Sequence, residues 1–261
     1  MELSVDGRKV YVYTGNRALN PALETVVFIH GAAMDHSVWV LQSRYFAHHG
    51  RNVLALDLPG HGRSAGPLVA AIGNLADWMM RVLDGAGLAR AALVGHSMGA
   101  LAALEAAARY PERVRAAALL GVAVPMAVSR QLLDAAAADD HAAIDMITIW
   151  GHGASSHVGG NRAPGLWMAG EGLRLLERAA PGVLHNDLKA CNDYQQGLAS
   201  AAKVRCPALL ILGQRDLMTP PHAAKALASA LPQSRTVMLD CGHMLSYERP
   251  DAVLDALIEF L

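Results

Sequence analysis

The chain is poor in cysteine, in charge and in long apolar runs, and each shortage removes a class of protein. Only three cysteines, Cys191, Cys206 and Cys241, occur in 261 residues. They have neither an even count for pairing nor the spacing of a metal site, so they read as buried thiols in a reducing compartment. Charged residues make up 17% of the chain and the formal net charge is −1. That balance gives no field to attract nucleic acid or an anionic membrane, and neither partner is expected. The longest apolar run, Ala116 to Val128, is shorter than a membrane span and contains Gly121 and Pro125. Met1 to Asp6 lacks the basic start and apolar centre of a signal peptide, so a cytoplasmic location is expected. No Gly-x-Gly-x-x-Gly loop opens a helix, which argues against a nucleotide cofactor. The 12 histidines include no His-Glu-x-x-His pattern, which argues against a metal.

What is present is apolar. Hydrophobic residues are 53% of the sequence, and a chain of this length buries roughly 75% of its unfolded surface. One domain, with room for an insertion, is the natural reading. Leu3–Val5 and Lys9–Tyr13 flank the turn Asp6-Gly7, a hairpin signal. Thr25–Ile29 and Asn52–Leu56 are short continuous apolar runs, as in strands buried on both faces of a parallel sheet. Ala91–Val94, Arg115–Val122, Pro207–Leu212 and Thr236–Leu239 read the same way. Helical patterns lie between them at Asp35–His48, Leu68–Leu83, Met98–Tyr110, Pro221–Leu231 and Asp251–Leu261. This alternation predicts an α/β fold with a mostly parallel central sheet and helices on its faces. Between Pro125 and Ala202 the rhythm changes to helices alone. Leu184, Leu188, Cys191 and Leu198 form one stripe there, and the glycine-rich stretch Gly151–Gly172, which contains Pro164, reads as a loop.

The chemistry centres on Val94-Gly95-His96-Ser97-Met98-Gly99. Gly-x-Ser-x-Gly between a strand and a helix is a nucleophile elbow, a sharp turn that exposes the serine and aims the first helix amides at developing charge. A serine hydroxyl needs a base, and the base needs an orienting acid. Asp216 follows the strand ending at Leu212, and His243 follows the strand ending at Leu239. In a parallel sheet these ends share one edge with Ser97. Asp240 is a rival acid, but it lies only three positions before His243. The loop Gly121-Val122-Ala123-Val124 offers none. The second oxyanion donor should come from the loop after Ile29: Ala32 is preferred, with Ala33 close behind, beside the Met98 amide. His30, His61 and His96 read as loop-holding residues. Arg162 could meet an anion, although an exposed arginine usually does nothing specific. Met126, Met146, Met168, Trp150 and Trp167 read either as ordinary packing or as an adaptable apolar wall above Ser97. The candidate pocket residues are Ala33, Met126, Trp150, Trp167 and Met168.

His30-Gly31, the segment Asp57-Leu58-Pro59-Gly60-His61-Gly62-Arg63-Ser64, the elbow, Gly213-x-x-Asp216 and Gly242-His243 together resemble the α/β-hydrolase fold family, in its branch of small hydrolases with a lid. The resemblance implies a triad of Ser97, Asp216 and His243. It also implies a core of residues 1–124 and 203–261 and a helical cap over 125–202. Serine at the elbow argues against the family's dehalogenases and epoxide hydrolases, which carry an aspartate there. The expected activity is hydrolysis of an ester or related acyl bond of a small, largely apolar substrate through an acyl-enzyme, with no cofactor. A carbon–carbon bond hydrolase, a lyase or a thioesterase using the same triad is the alternative. A ligand receptor without activity is disfavoured by the complete set of catalytic positions.

Overall fold

In the computed structural model, which describes residues 1–159, 165 and 167–261, an eight-stranded sheet runs through the centre of the molecule in the order β1-β2-β4-β3-β5-β6-β7-β8. The strands are β1 (Glu2–Val5), β2 (Arg8–Tyr13), β3 (Thr25–Ile29), β4 (Asn52–Leu56), β5 (Ala91–His96), β6 (Val114–Leu120), β7 (Ala208–Gly213) and β8 (Ser234–Leu239). β1 and β2 form the antiparallel hairpin, and β2 joins β4 antiparallel. Every pairing from β4 to β8 is parallel.

Period-two alternation sends side chains to two separate cores. Val27, Ile29, Leu93, Leu119 and Leu210 face one; Val26, Phe28, Val94, Leu120 and Ile211 face the other. Helices cover both, so the apolar runs have no polar face. The helices α2 (Ile72–Gly85), α3 (Met98–Arg109) and α10 (Lys225–Ala230) pack on the first core. The helices α1 (Val40–His48) and α11 (Pro250–Phe260) pack on the second. α2 begins four residues later than its periodicity suggests, because Ala71 is extended and Leu68 is used to pack against Gly60.

Between β6 and β7 the described residues contain helices and no strand: α4 (Arg130–Ala137), α5 (His141–Gly151), α6 (Ala154–His157), α7 (Met168–Glu177), α8 (Val183–Asp193) and α9 (Gly197–Ala201). The expected loop over Gly151–Gly172 is therefore partly helical. Glycine weakens a helix by about 1 kcal/mol, but two of these glycines are needed for close packing. A Cβ on Gly170 would overlap the Trp167 ring, and one on Gly172 would press on His152. Arg162 and Pro164 lie outside the described residues. The stripe through Leu184, Leu188 and Cys191 holds within α8, but Leu198 sits on α9 and is exposed.

The sheet order creates the site. From β3 the chain goes to β4 on one side, then crosses to β5 on the other. The carboxyl ends of β3 and β5 thus bound a topological switch point, where open α/β sheets bind ligands. The register aligns Ile29 with Gly95, His96 with Leu120, and Gly213 with Leu239. The loops that follow these strands all leave at one edge.

Candidate active site

Ser97 sits between β5 and α3 with φ +53° and ψ −116°. A non-glycine residue held at positive φ stores about 1–3 kcal/mol of strain and needs surroundings that enforce it. Here the Ser97 N–H donates to the Leu120 carbonyl oxygen at 2.9 Å, and two glycines let the turn close. A Cβ on Gly95 would lie 2.2 Å from the Gly99 oxygen, and one on Gly99 would lie 2.4 Å from the Ile29 oxygen. Only hydrogen fits at either position, because Gly95 abuts the first turn of α3 and Gly99 abuts the end of β3.

Asp216 and His243 meet on the loops after β7 and β8. His243 Nδ1 is 2.8 Å from Asp216 Oδ2. The other carboxylate oxygen accepts the Met218 N–H at 2.8 Å and the Thr219 N–H at 2.7 Å. Thr219 Oγ1 donates to Oδ2 at 2.7 Å. Burial alone would raise the Asp216 pKa, but the His243 charge and hydrogen bond, with the Thr219 donors, hold it below the ordinary aspartate value. A carboxylate oxygen opposite Nδ1 requires the proton on that nitrogen. Nε2 then carries the lone pair, and it is buried with no hydrogen-bond partner. Asp240 takes no part: it is exposed and pairs with Arg215 at 3.1 Å.

Thr219 and Gly121 beside this pair were not among the sequence candidates, and His96 was expected there as a loop-holding residue. Thr219 binds both members. Gly121, at φ +55°, leaves room for the imidazole, since a Cβ there would stand 3.1 Å from His243 Nδ1. His96 Nε2 lies 2.9 Å from the His243 carbonyl oxygen. Burial, then the neighbouring His243 charge, pushes the His96 pKa down to about 3, so it is a neutral strut. Of the two missed residues only Thr219 left a sequence signal, as a hydroxyl three residues after an aspartate in a turn.

Ser97 and His243 line a single cavity of about 190 Å³ with Ala32. Of the expected pocket residues, Met126 and Trp150 are on its wall; Ala33, Trp167 and Met168 are not. Trp167 is 67% exposed and Met168 packs in the second core. Ala33 turns its N–H to the Asp187 carboxylate at 2.9 Å. Leu132, Ile147, Leu188, Met218 and Met244 are also on the apolar wall. Among the described residues, neither the Ala32 nor the Met98 N–H donates to a protein acceptor. His30 and His61 do hold loops. The Leu58 N–H donates to His30 Nε2 at 3.1 Å, and His61 Nε2 lies 2.7 Å from Asp187 Oδ2. Asp35, His36 and Asp57 stand close enough to share a cation. Their carboxylate oxygens instead receive the N–H groups of His36, Ser37, Arg63 and Arg178.

A model of the alpha/beta hydrolase family matches residues 26–256. The chain belongs to the alpha/beta hydrolase family. It is an enzyme of that family, with hydrolases among its relatives. A Klebsiella pneumoniae protein that bears the name "Putative carbamate hydrolase RutD" is 29% identical over 239 residues, 85% of each chain. The (E)-2-((N-methylformamido)methylene)succinate hydrolase of Acinetobacter baylyi is 26% identical over 246 residues, 91% of this chain and 90% of its own. The enol-lactonase of Burkholderia xenovorans LB400 shares the fold with a TM-score of 0.87 at 24% identity, over 100% of this chain and 99% of its own. Within this alpha/beta hydrolase no helix of the described residues is long and apolar enough to cross a membrane.

Proposed function

We propose that this alpha/beta hydrolase cleaves an ester or related acyl bond of a small, uncharged, largely apolar substrate. Ser97 is the nucleophile, His243 the base and Asp216 its orienting acid. The observation that carries the reading is the unpartnered His243 Nε2 on the wall of the cavity that also holds Ser97. The hydroxyl and Nε2 share one cavity without a hydrogen bond between them, a contact that in such sites tightens with substrate in place. Ser97 Oγ then attacks the carbonyl carbon while its proton passes to Nε2. The oxyanion takes the N–H groups of Ala32 and Met98. Collapse expels the leaving group, protonated by His243, and leaves an acyl-enzyme. Water, deprotonated by the same nitrogen, releases the acid. Residues 125–202 act as a cap, whose described part gives Met126, Leu132, Ile147, Trp150 and Leu188 to the apolar wall.

Charge sets the substrate class. Among the described residues no lysine, arginine, aspartate or glutamate lines the cavity, and a buried unpaired carboxylate costs several kcal/mol. The succinate in one relative's name carries carboxylates, for which the described wall offers no counter-charge. The test is a p-nitrophenyl ester series. Neutral acyl chains of short to medium length are expected to be hydrolysed. The same chains ending in a carboxylate should lose roughly 100-fold or more in kcat/KM, the equivalent of about 3 kcal/mol. Equal rates for both would remove the charge argument, and no hydrolysis of any ester would remove the reading.

A further inference from the structure

Asp187 is a buried carboxylate, 1% exposed, that the chemistry above does not use. It sits on α8 and reaches across to the loop after β3. Its Oδ2 accepts two donors, the Ala33 N–H at 2.9 Å and His61 Nε2–H at 2.7 Å. Its Oδ1 accepts from Asn186 Nδ2 at 3.0 Å. The other His61 nitrogen lies 3.1 Å from the Pro59 carbonyl oxygen. A ring with both nitrogens facing acceptors is built to carry both protons.

The loop that Asp187 grips is the one beside the nucleophile. A Cβ on Gly31 would stand 3.4 Å from Ser97 Cβ. Ala33 is at φ +55°, a left-handed conformation that alanine does not adopt unaided. Holding its N–H toward α8 settles the orientation of the loop. Ala33 then faces away from the cavity, and Ala32, one residue earlier, lies on its wall with no acceptor for its N–H. A second tie from the same segment, Arg178 to Asp35 Oδ2 at 2.7 Å, secures the end of this loop. A bare carboxylate bound to the amide next to the oxyanion donor would oppose the developing negative charge. The His61 imidazolium on the same oxygen cancels that charge while leaving the hydrogen bond in place.

We propose that Asp187 is a positioning residue for the oxyanion site: by holding the Ala33 amide, with His61 neutralising its charge, it selects the Ala32 N–H as the donor. This rests on the serine-hydrolase reading above. The inserted helices therefore set the catalytic geometry as well as the pocket wall.

The test compares wild type, D187A, D187N and H61Q as full chains. The readouts are kcat and KM on p-nitrophenyl butyrate, and affinity for an alkyl trifluoromethyl ketone. That ketone accepts Ser97 Oγ at its carbonyl carbon, with the proton passing to His243, and so leaves an oxyanion. D187A is expected to lower kcat roughly 10- to 100-fold with KM within about twofold, because misplacement of one donor acts on the transition state. Ketone affinity should fall with it. D187N keeps an oxygen for the Ala33 N–H and should recover most of the loss. H61Q leaves the carboxylate uncompensated, and it should lower kcat and ketone affinity at unchanged KM even if D187A fails to fold. Wild-type kcat and ketone affinity in folded D187A or in H61Q, whatever their Tm, would overturn the proposal alone. A wild-type protein that neither hydrolyses esters nor binds the ketone would overturn the hydrolase reading and this inference with it.

Discussion

Replacing Ser97 with alanine is expected to lower kcat by about 10⁴-fold or more, to the level that the oxyanion site and binding alone sustain. The loss should appear in kcat and not in KM, because the hydroxyl adds little to ground-state binding. The fold should survive. Alanine at φ +53° carries the same strain as serine, and the Ser97 N–H bond to Leu120 does not involve the side chain. Steady-state kinetics with a thermal melt on the same preparation separates the two. Activity retained in a clean S97A sample would remove the serine from the chemistry.

Asp216→Asn is expected to cost about 10⁴-fold in kcat, and the surrounding hydrogen bonds say why. The Met218 and Thr219 N–H groups would hold the amide oxygen of the new side chain. Its NH₂ would then face His243 Nδ1, which must turn acceptor. The proton would move to Nε2, the nitrogen that has to receive the serine proton. The same substitution has a stability signature. The Asp216 pKa lies below the ordinary 3.8, so the ionised form stabilises the fold above that value. The contribution fades as pH falls through the lowered pKa. Tm measured from pH 7 to pH 3 should fall more steeply for wild type than for D216N. A D216N enzyme within tenfold of wild-type kcat would exclude the tautomer argument.

The sheet was legible because its strands are apolar without interruption. β3, β4 and β7 are buried at every position, and such runs between helical patterns have one common solution. Ser97, Asp216 and His243 could be placed in advance because strand ends converge on one edge whatever the side chains do. Side-chain direction was not legible. Ala32 and Ala33 are identical in sequence; only the Asp187 carboxylate, 154 positions away, distinguishes their amides. Trp167 and Met168 are as apolar as Trp150, yet the two fall at the start of α7 away from the cavity. Gly121 gave no sign of its role, since what it accommodates arrives from the far end of the chain. Glycines also hid α6 and α7, because their effect on helix propensity is local while the packing that overrides it is not.

The most direct measurement is covalent: incubate the enzyme with a neutral p-nitrophenyl alkylphosphonate and map the adduct by peptide mass spectrometry. Stoichiometric phosphonylation of the peptide carrying Ser97, absent when His243 is replaced by alanine, is the expected result. An unlabelled protein, or an adduct on another residue with Ser97 untouched, would contradict the assignment of the nucleophile and of the cavity around it.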